Sequence, residues 1–181
     1  MSRQILRTVL IVIILGSTIG CDRISKKFVR ERVAYNEQIS LIENYLTLTN
    51  VENPGAFLSL GHSLPMPLKT ALLTVLPMIV LVVSLLFLVT KKGLPHKTTL
   101  GICLIVGGGI GNIYDRLVYG SVTDFLHLDL GLFQTGIFNM ADVAIMTGMF
   151  IVLMEGYINR AEFNLKTIDD SDKPRHDKPA A

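Results

Sequence analysis

The residues in this chain able to do chemistry are polar groups set at the ends of apolar runs: Asp22, Asn53, Asn112, Asp115, Arg116, Asp124, Asn139 and Asp142. Asp142 stands out. It lies about five residues, roughly 8 Å by helical rise, inside an apolar run that begins at Ile137. An ionisable group at that depth is expensive and suggests function, as part of an active site or of a proton path. The structural alternative is an ion pair with Arg116 that pins two helices together. Asn112 precedes Asp115 by three residues and Arg116 by four, so the three share one helical face, as do Asn139 and Asp142. Lys26, four residues after Asp22, points the same way as that aspartate.

Other chemistries have weaker support. His127 and Asp129 stand near the aspartates in sequence, but no pair has the tight spacing of a metal-binding HExxH motif. "GGGIGN", Gly107 to Asn112, follows no strand and lies in an apolar run, so its glycines read as close-packing positions between helices and not as a phosphate loop. Cys21 and Cys103 fall at opposite ends of their helices, too far apart to pair, and no histidine is placed to activate either. His62, His96 and His176 are isolated and read as surface residues.

The elements that must position these groups are membrane helices. Half of the 181 residues are apolar, there is no tryptophan, and the formal net charge is only +2 with its cations scattered, which argues against a nucleic-acid partner. Apolar runs at Ile5 to Cys21, Thr70 to Thr90, Thr98 to Tyr114 and Ile137 to Ile158 each approach the roughly 17 to 25 residues needed to span a bilayer. Pro77 and the glycines of the third run are tolerated in a membrane bundle. The expected fold is therefore a mainly α membrane protein of four transmembrane helices.

Between the first two helices, "QISLIENYLTLTNVEN" has strand-like composition and predicts a small extracytoplasmic β element resting on the membrane surface. Residues 1–158 form one membrane domain on this reading, and 159–181 a charged, disordered tail. The cations between Arg23 and Arg32 read as a solvated or headgroup-facing surface. Loop cations balance between the two faces until Lys173, Arg175 and Lys178 tip the count toward cytoplasmic N- and C-termini. With four antiparallel spans, all eight polar residues then gather at the extracytoplasmic face.

Five stretches in order carry a family resemblance: "DRISK" at Asp22 to Lys26, "NPGAF" at Asn53 to Phe57, "GGGIGNIYDR" at Gly107 to Arg116, "VTDF" at Val122 to Phe125 and "FNMAD" at Phe138 to Asp142. Together with the four spans, the pattern resembles the lipoprotein signal peptidase family, also called signal peptidase II. The resemblance implies an aspartic endopeptidase of the bacterial cytoplasmic membrane that cleaves prolipoproteins on the N-terminal side of a diacylglyceryl-modified cysteine. Carried over by motif, Asp124 and Asp142 are the catalytic pair, sharing a proton and activating a water with neither metal nor other cofactor. Asn53, Asn112, Arg116 and Asn139 then orient the pair and hold substrate, Asp115 fixes the third helix, and Asp22 and Lys26 support the site's edge. The implied partners are prolipoprotein substrates and membrane lipid, with the enzyme a monomer; the loop from Ile39 to Leu60 is placed to close over the scissile bond.

Two competing readings follow from single features. A proton-relay transporter would use Asp142, yet it has no evident need for Asp124 in an outer loop. The N-terminal "MSRQILR", apolar run and "TIGC" imitate a lipoprotein export signal ending at Cys21. Thr18 and Ile19 do not suit the usual leucine-then-small pattern, and cleavage would remove the helix that supports Asp22. The first helix is therefore expected to be retained.

Overall fold

A computed structural model describes residues 3–43, 45–55 and 63–172. Four helices run in sequence: α1 (Arg3–Arg32), α2 (Met66–Thr90), α3 (His96–Tyr119) and α4 (Met140–Asp172). Each contains a segment long and apolar enough to cross a membrane, so the fold is the four-span helical architecture expected from the sequence. His62, His176 and the 56–60 part of the first loop lie outside the described residues.

The helices depart from the sequence limits at their ends. α1 continues without a break through Cys21, eleven residues past the expected end, because its outer half has its own buried stripe. Asp22, Lys26 and Val29 within it, and Val33 just beyond, recur at helical spacing and are all buried. Within α2, Pro77 has no N–H to offer the carbonyl four residues earlier, and the helix widens into a π-turn over Ala71–Val75 immediately before it. Ile137 and Phe138 belong to a strand, so α4 starts at Met140, and its backbone stays helical past Ile158 to Asp172. The expected tail thus begins as helix, since nothing between Gly156 and Pro174 breaks one.

The β element is larger than expected. β1 (Gln38–Ile42) and β2 (Leu46–Asn53) come from the link between α1 and α2, while β3 (Val122–Asp129) and β4 (Gln134–Phe138) come from the link between α3 and α4. They form one antiparallel sheet in the order β1-β2-β3-β4. β3 follows α3 after a turn in which Gly120 takes a left-handed φ of 79° and its N–H bonds to the Arg116 carbonyl, a C-cap that suits glycine. Phe125 of β3 packs with Val29 and Val33, seating the sheet on the outer end of α1.

α3 is the central helix, packed by α1, α2 and α4. Its glycines make this arrangement possible, turned between them to all three neighbours. A Cβ on Gly107 would lie 2.8 Å from Thr18 of α1, and one on Gly109 would lie 2.5 Å from Leu81 of α2. Gly108 faces the Ala141 carbonyl of α4 and Gly111 faces the Asp22 carboxylate of α1, both too close for any side chain.

Candidate active site

The sheet and three helices meet where α3 ends and α4 begins. Asn139, just before α4, accepts the Asp142 N–H on its side-chain oxygen at 3.0 Å, and Asp142 Oδ2 accepts the Asn139 N–H at 3.1 Å. This reciprocal pair caps the first turn of α4 and fixes the Asp142 rotamer, while the helix dipole favours a negative charge there. The amide nitrogen of the same asparagine donates to Asp124 Oδ1 at 2.6 Å. One residue therefore joins the carboxylate of the sheet to the carboxylate of the helix.

Each carboxylate accepts a hydrogen bond on both oxygens. Asp124 sits opposite Val51 in the β2–β3 ladder, on the same face as Asn53, whose Nδ2 donates to Asp124 Oδ2 at 2.8 Å. Asn53 in turn accepts the Gly55 N–H at 2.9 Å, so a tight turn after β2 fixes its amide. Asp142 Oδ1 accepts from Asn112 Nδ2 at 2.8 Å. Asp124 is 3 % exposed, whereas Asp142 is half-buried. Burial raises the Asp124 carboxyl to about 6, with the nearby Asp142 charge adding to the rise and the Asn53 and Asn139 amides opposing it.

Beneath this pair lies a buried ionic layer. Lys26, fully buried, contacts Asp22 Oδ2 at 3.0 Å and Asp115 Oδ2 at 3.1 Å and donates to Asn112 Oδ1 at 2.8 Å. A lysine can only donate, so it fixes the Asn112 amide with its nitrogen toward Asp142. Asp22 Oδ1 accepts the Ala141 N–H at 3.0 Å, capping α4 from α1. Asp115 also accepts the Thr123 N–H at 3.3 Å, tying the end of α3 to β3.

Three sequence readings are corrected here, the first of them the structural alternative for Asp142. Arg116 is not the partner of Asp142: its Nη2 donates to the Gly55 carbonyl at 2.9 Å and Nη1 to the Asn112 carbonyl at 3.4 Å, so it holds the turn after β2 against α3. Nor are Arg23 and Arg30 solvated surface. Arg23 pairs with Asp115 and lies 4.0 Å over the Tyr114 ring, while Arg30 contacts Asp115 at 3.1 Å and lies 3.8 Å over Tyr119. A fully buried carboxylate draws cations in, and the signal was their seven-residue spacing, which puts both on one face of α1. Asp124 itself lies in a strand and not in an open loop.

All nine expected positions thus join one network: Asp22, Lys26, Asn53, Asn112, Asp115, Arg116, Asp124, Asn139 and Asp142. His127 and Asp129 lie further along β3, beyond it. Among the described residues, no three histidine, cysteine, aspartate or glutamate side chains are grouped to hold a metal ion. Two acidic groups held by neutral amide donors can exchange a proton with water and with a polarised carbonyl.

Comparison with known proteins agrees with the pattern. A family model described as Signal peptidase (SPase) II matches residues 11–158. A lipoprotein signal peptidase of Desulforapulum autotrophicum is 32% identical, the match covering 88% of this chain and 96% of that protein. One from Streptococcus pneumoniae is also 32% identical, over 82% and 92% respectively, and one from Syntrophomonas wolfei is 38% identical over 75% and 87%. A bacterial membrane enzyme whose structure was solved by the in meso method at 2.3 Å shares the fold, with a TM-score of 0.72 over 93% of this chain and 94% of that one at 20% identity.

Proposed function

This chain belongs to the signal peptidase II family and is a multi-pass bacterial membrane peptidase; from that premise we propose that Asp124 and Asp142 form an aspartic dyad. It cleaves diacylglyceryl-modified prolipoproteins on the N-terminal side of the lipidated cysteine. The observation that carries this reading is the single Asn139 residue bonded to both carboxylates, which joins two acids across the sheet–helix boundary.

In the proposed reaction one aspartate is ionised and the other protonated. The ionised carboxylate takes a proton from a water whose oxygen bonds to the scissile carbonyl carbon, and the protonated one donates to the carbonyl oxygen. The tetrahedral intermediate collapses as the carbon–nitrogen bond breaks, with the amine of the lipidated cysteine receiving the proton. Such a pair titrates as a unit. Asn53, Asn112 and Asn139 hold the carboxylates in register without adding charge. Arg116, within the Coulombic reach of both aspartates, contributes a fixed positive field. Asp22, Lys26 and Asp115 position these groups from below.

The substrate arrives from lipid. A wholly apolar cleft of about 270 Å3 between α2 and α3, lined by Leu81, Leu85, Val106, Ile110 and Leu117 among others, suits hydrocarbon chains. The orientation we propose has cytoplasmic N- and C-termini and the dyad at the extracytoplasmic face, with residues 1–158 as a single, monomeric peptidase domain and 159–181 as a cytoplasmic extension. The test is cleavage of a diacylglyceryl-modified prolipoprotein in proteoliposomes. Asp124→Asn and Asp142→Asn should each lower the rate about 10²- to 10⁴-fold, with thermal unfolding of each variant confirming that it is folded; a variant that cleaves at near wild-type rate removes the dyad assignment.

A further inference from the structure

At the end of the bundle remote from the aspartates, the N-terminal turns of α1 and the last turns of α2 border a cleft of about 270 Å3. Its floor is apolar. Ile11 and Leu15 line it from α1 and Leu85 and Leu88 from α2, and the fully buried Leu88 shares a core cluster with Ile11 and Cys103. Its mouth is cationic, with Arg7 on α1 and Lys92 just past the end of α2, and among the described residues no acidic side chain lines it.

Arg7 is anchored but incompletely satisfied. Its Nη2 donates to the Leu88 carbonyl at 2.7 Å. That carbonyl lies in the last turn of α2, where helical N–H partners have run out, so the bond completes α2 and ties the guanidinium to the cleft. Arg7 Nε, by contrast, is buried and has no hydrogen-bond partner among the described residues. A guanidinium held in an apolar cleft with a donor unpaired is costly, and a negative charge beside it would offset part of that cost.

The two halves of the cleft call for different chemistry in one molecule: an anionic, oxygen-rich head at Arg7 and Lys92, and a hydrocarbon chain over Ile11, Leu15 and Leu85. Free phosphate has nothing to offer the floor. A zwitterionic lipid brings its own ammonium to a mouth that already holds two cations. Basic pockets between membrane helices at the bilayer surface are suited to anionic headgroups. We propose that this cleft binds one anionic phospholipid from the leaflet on the N-terminal side, its phosphodiester meeting the Arg7 guanidinium and the Lys92 ammonium. The proposal is independent of the dyad.

The test uses the full-length protein in detergent, with native mass spectrometry counting retained phosphatidylglycerol against phosphatidylethanolamine. Wild type should hold one phosphatidylglycerol in preference to phosphatidylethanolamine. Lys92→Gln should weaken that binding about fivefold, and Arg7→Gln with Lys92→Gln about 25-fold, from about 1 kcal/mol per cation. Arg7→Lys, which keeps the charge, should retain most of the binding, and Lys91→Gln, outside the cleft, should leave it unchanged. Lys92 is exposed, so its variant carries the test even if loss of the Arg7 bond impairs folding. Unchanged binding in Lys92→Gln, equal weakening in Lys91→Gln, equal retention of phosphatidylethanolamine, or displacement by millimolar inorganic phosphate would each overturn the proposal.

Discussion

Replacing Lys26 by methionine tests the ionic layer beneath the site. Lys26 is fully buried and serves two fully buried carboxylates, at 3.0 Å and 3.1 Å. Breaking a buried ion pair from one side costs about 3–5 kcal/mol, because the remaining charge stays in a poor solvent. The two aspartates would not suffer equally. Asp115 keeps Arg23, Arg30 and the Thr123 N–H, whereas among the described residues Asp22 keeps only the Ala141 N–H. Most of the loss should therefore sit at Asp22, and adding Asp22→Asn to Lys26→Met should restore about 2 kcal/mol, a coupling within the range for contacting residues. Equilibrium unfolding of the purified variants in mixed micelles measures all four corners of the cycle. A Lys26→Met cost below about 1 kcal/mol, or a double variant as unstable as the sum of the singles, would refute the assignment of Lys26 as the cation that compensates Asp22.

Stability should also respond to pH through Asp124. Its carboxyl titrates near 6 in the folded protein against 3.8 as the reference value, so the folded state holds the proton more tightly. The stability contributed by that proton is fully present below about pH 3.8 and is lost as pH rises through about 6, a difference on the order of 3 kcal/mol. In Asp124→Asn, which cannot ionise, unfolding measured across that window should lose this dependence; an unchanged slope would show that other groups carry it. Gly108→Ala should destabilise by about 1–3 kcal/mol, since its Cβ would collide with the Ala141 backbone beside the site. Gly16→Ala, with nothing within 4 Å, should be neutral or stabilising by up to about 1 kcal/mol in the same thermal-unfolding assay.

The four spans were legible because length and apolarity suffice for a membrane helix, and the three-residue spacing of Asn139 and Asp142 put them together on one helical face. The shared sheet was less legible. β3 and β4 lie between two helices, and β3 is joined to the rest of the sheet by pairing with β2 about 70 to 80 residues earlier, which no local pattern encodes. The outer half of α1 was hidden for a related reason. A run of lysines and arginines reads as surface until a buried carboxylate, Asp115, is known to stand opposite it. Arg116 misled in the other direction, since nearness in sequence to the aspartates suggested a charge pair while its hydrogen bonds go to backbone carbonyls.

The glycine-bearing third helix also sets the order in which the molecule can assemble during synthesis. α1 and α2 enter the bilayer first, but they meet mainly at the Arg7–Leu88 end and have no extended face for one another. Only when α3 arrives do Thr18 and Leu81 find the Gly107 and Gly109 surfaces that bring both early helices to one axis. α4 then docks along Gly101, Gly108 and Gly148, and its capping turn delivers Asp142 last. A nascent chain therefore carries Asp22 and its lysine partner well before Asp142 is made, and the proposed dyad is complete only once the fourth helix has joined the other three.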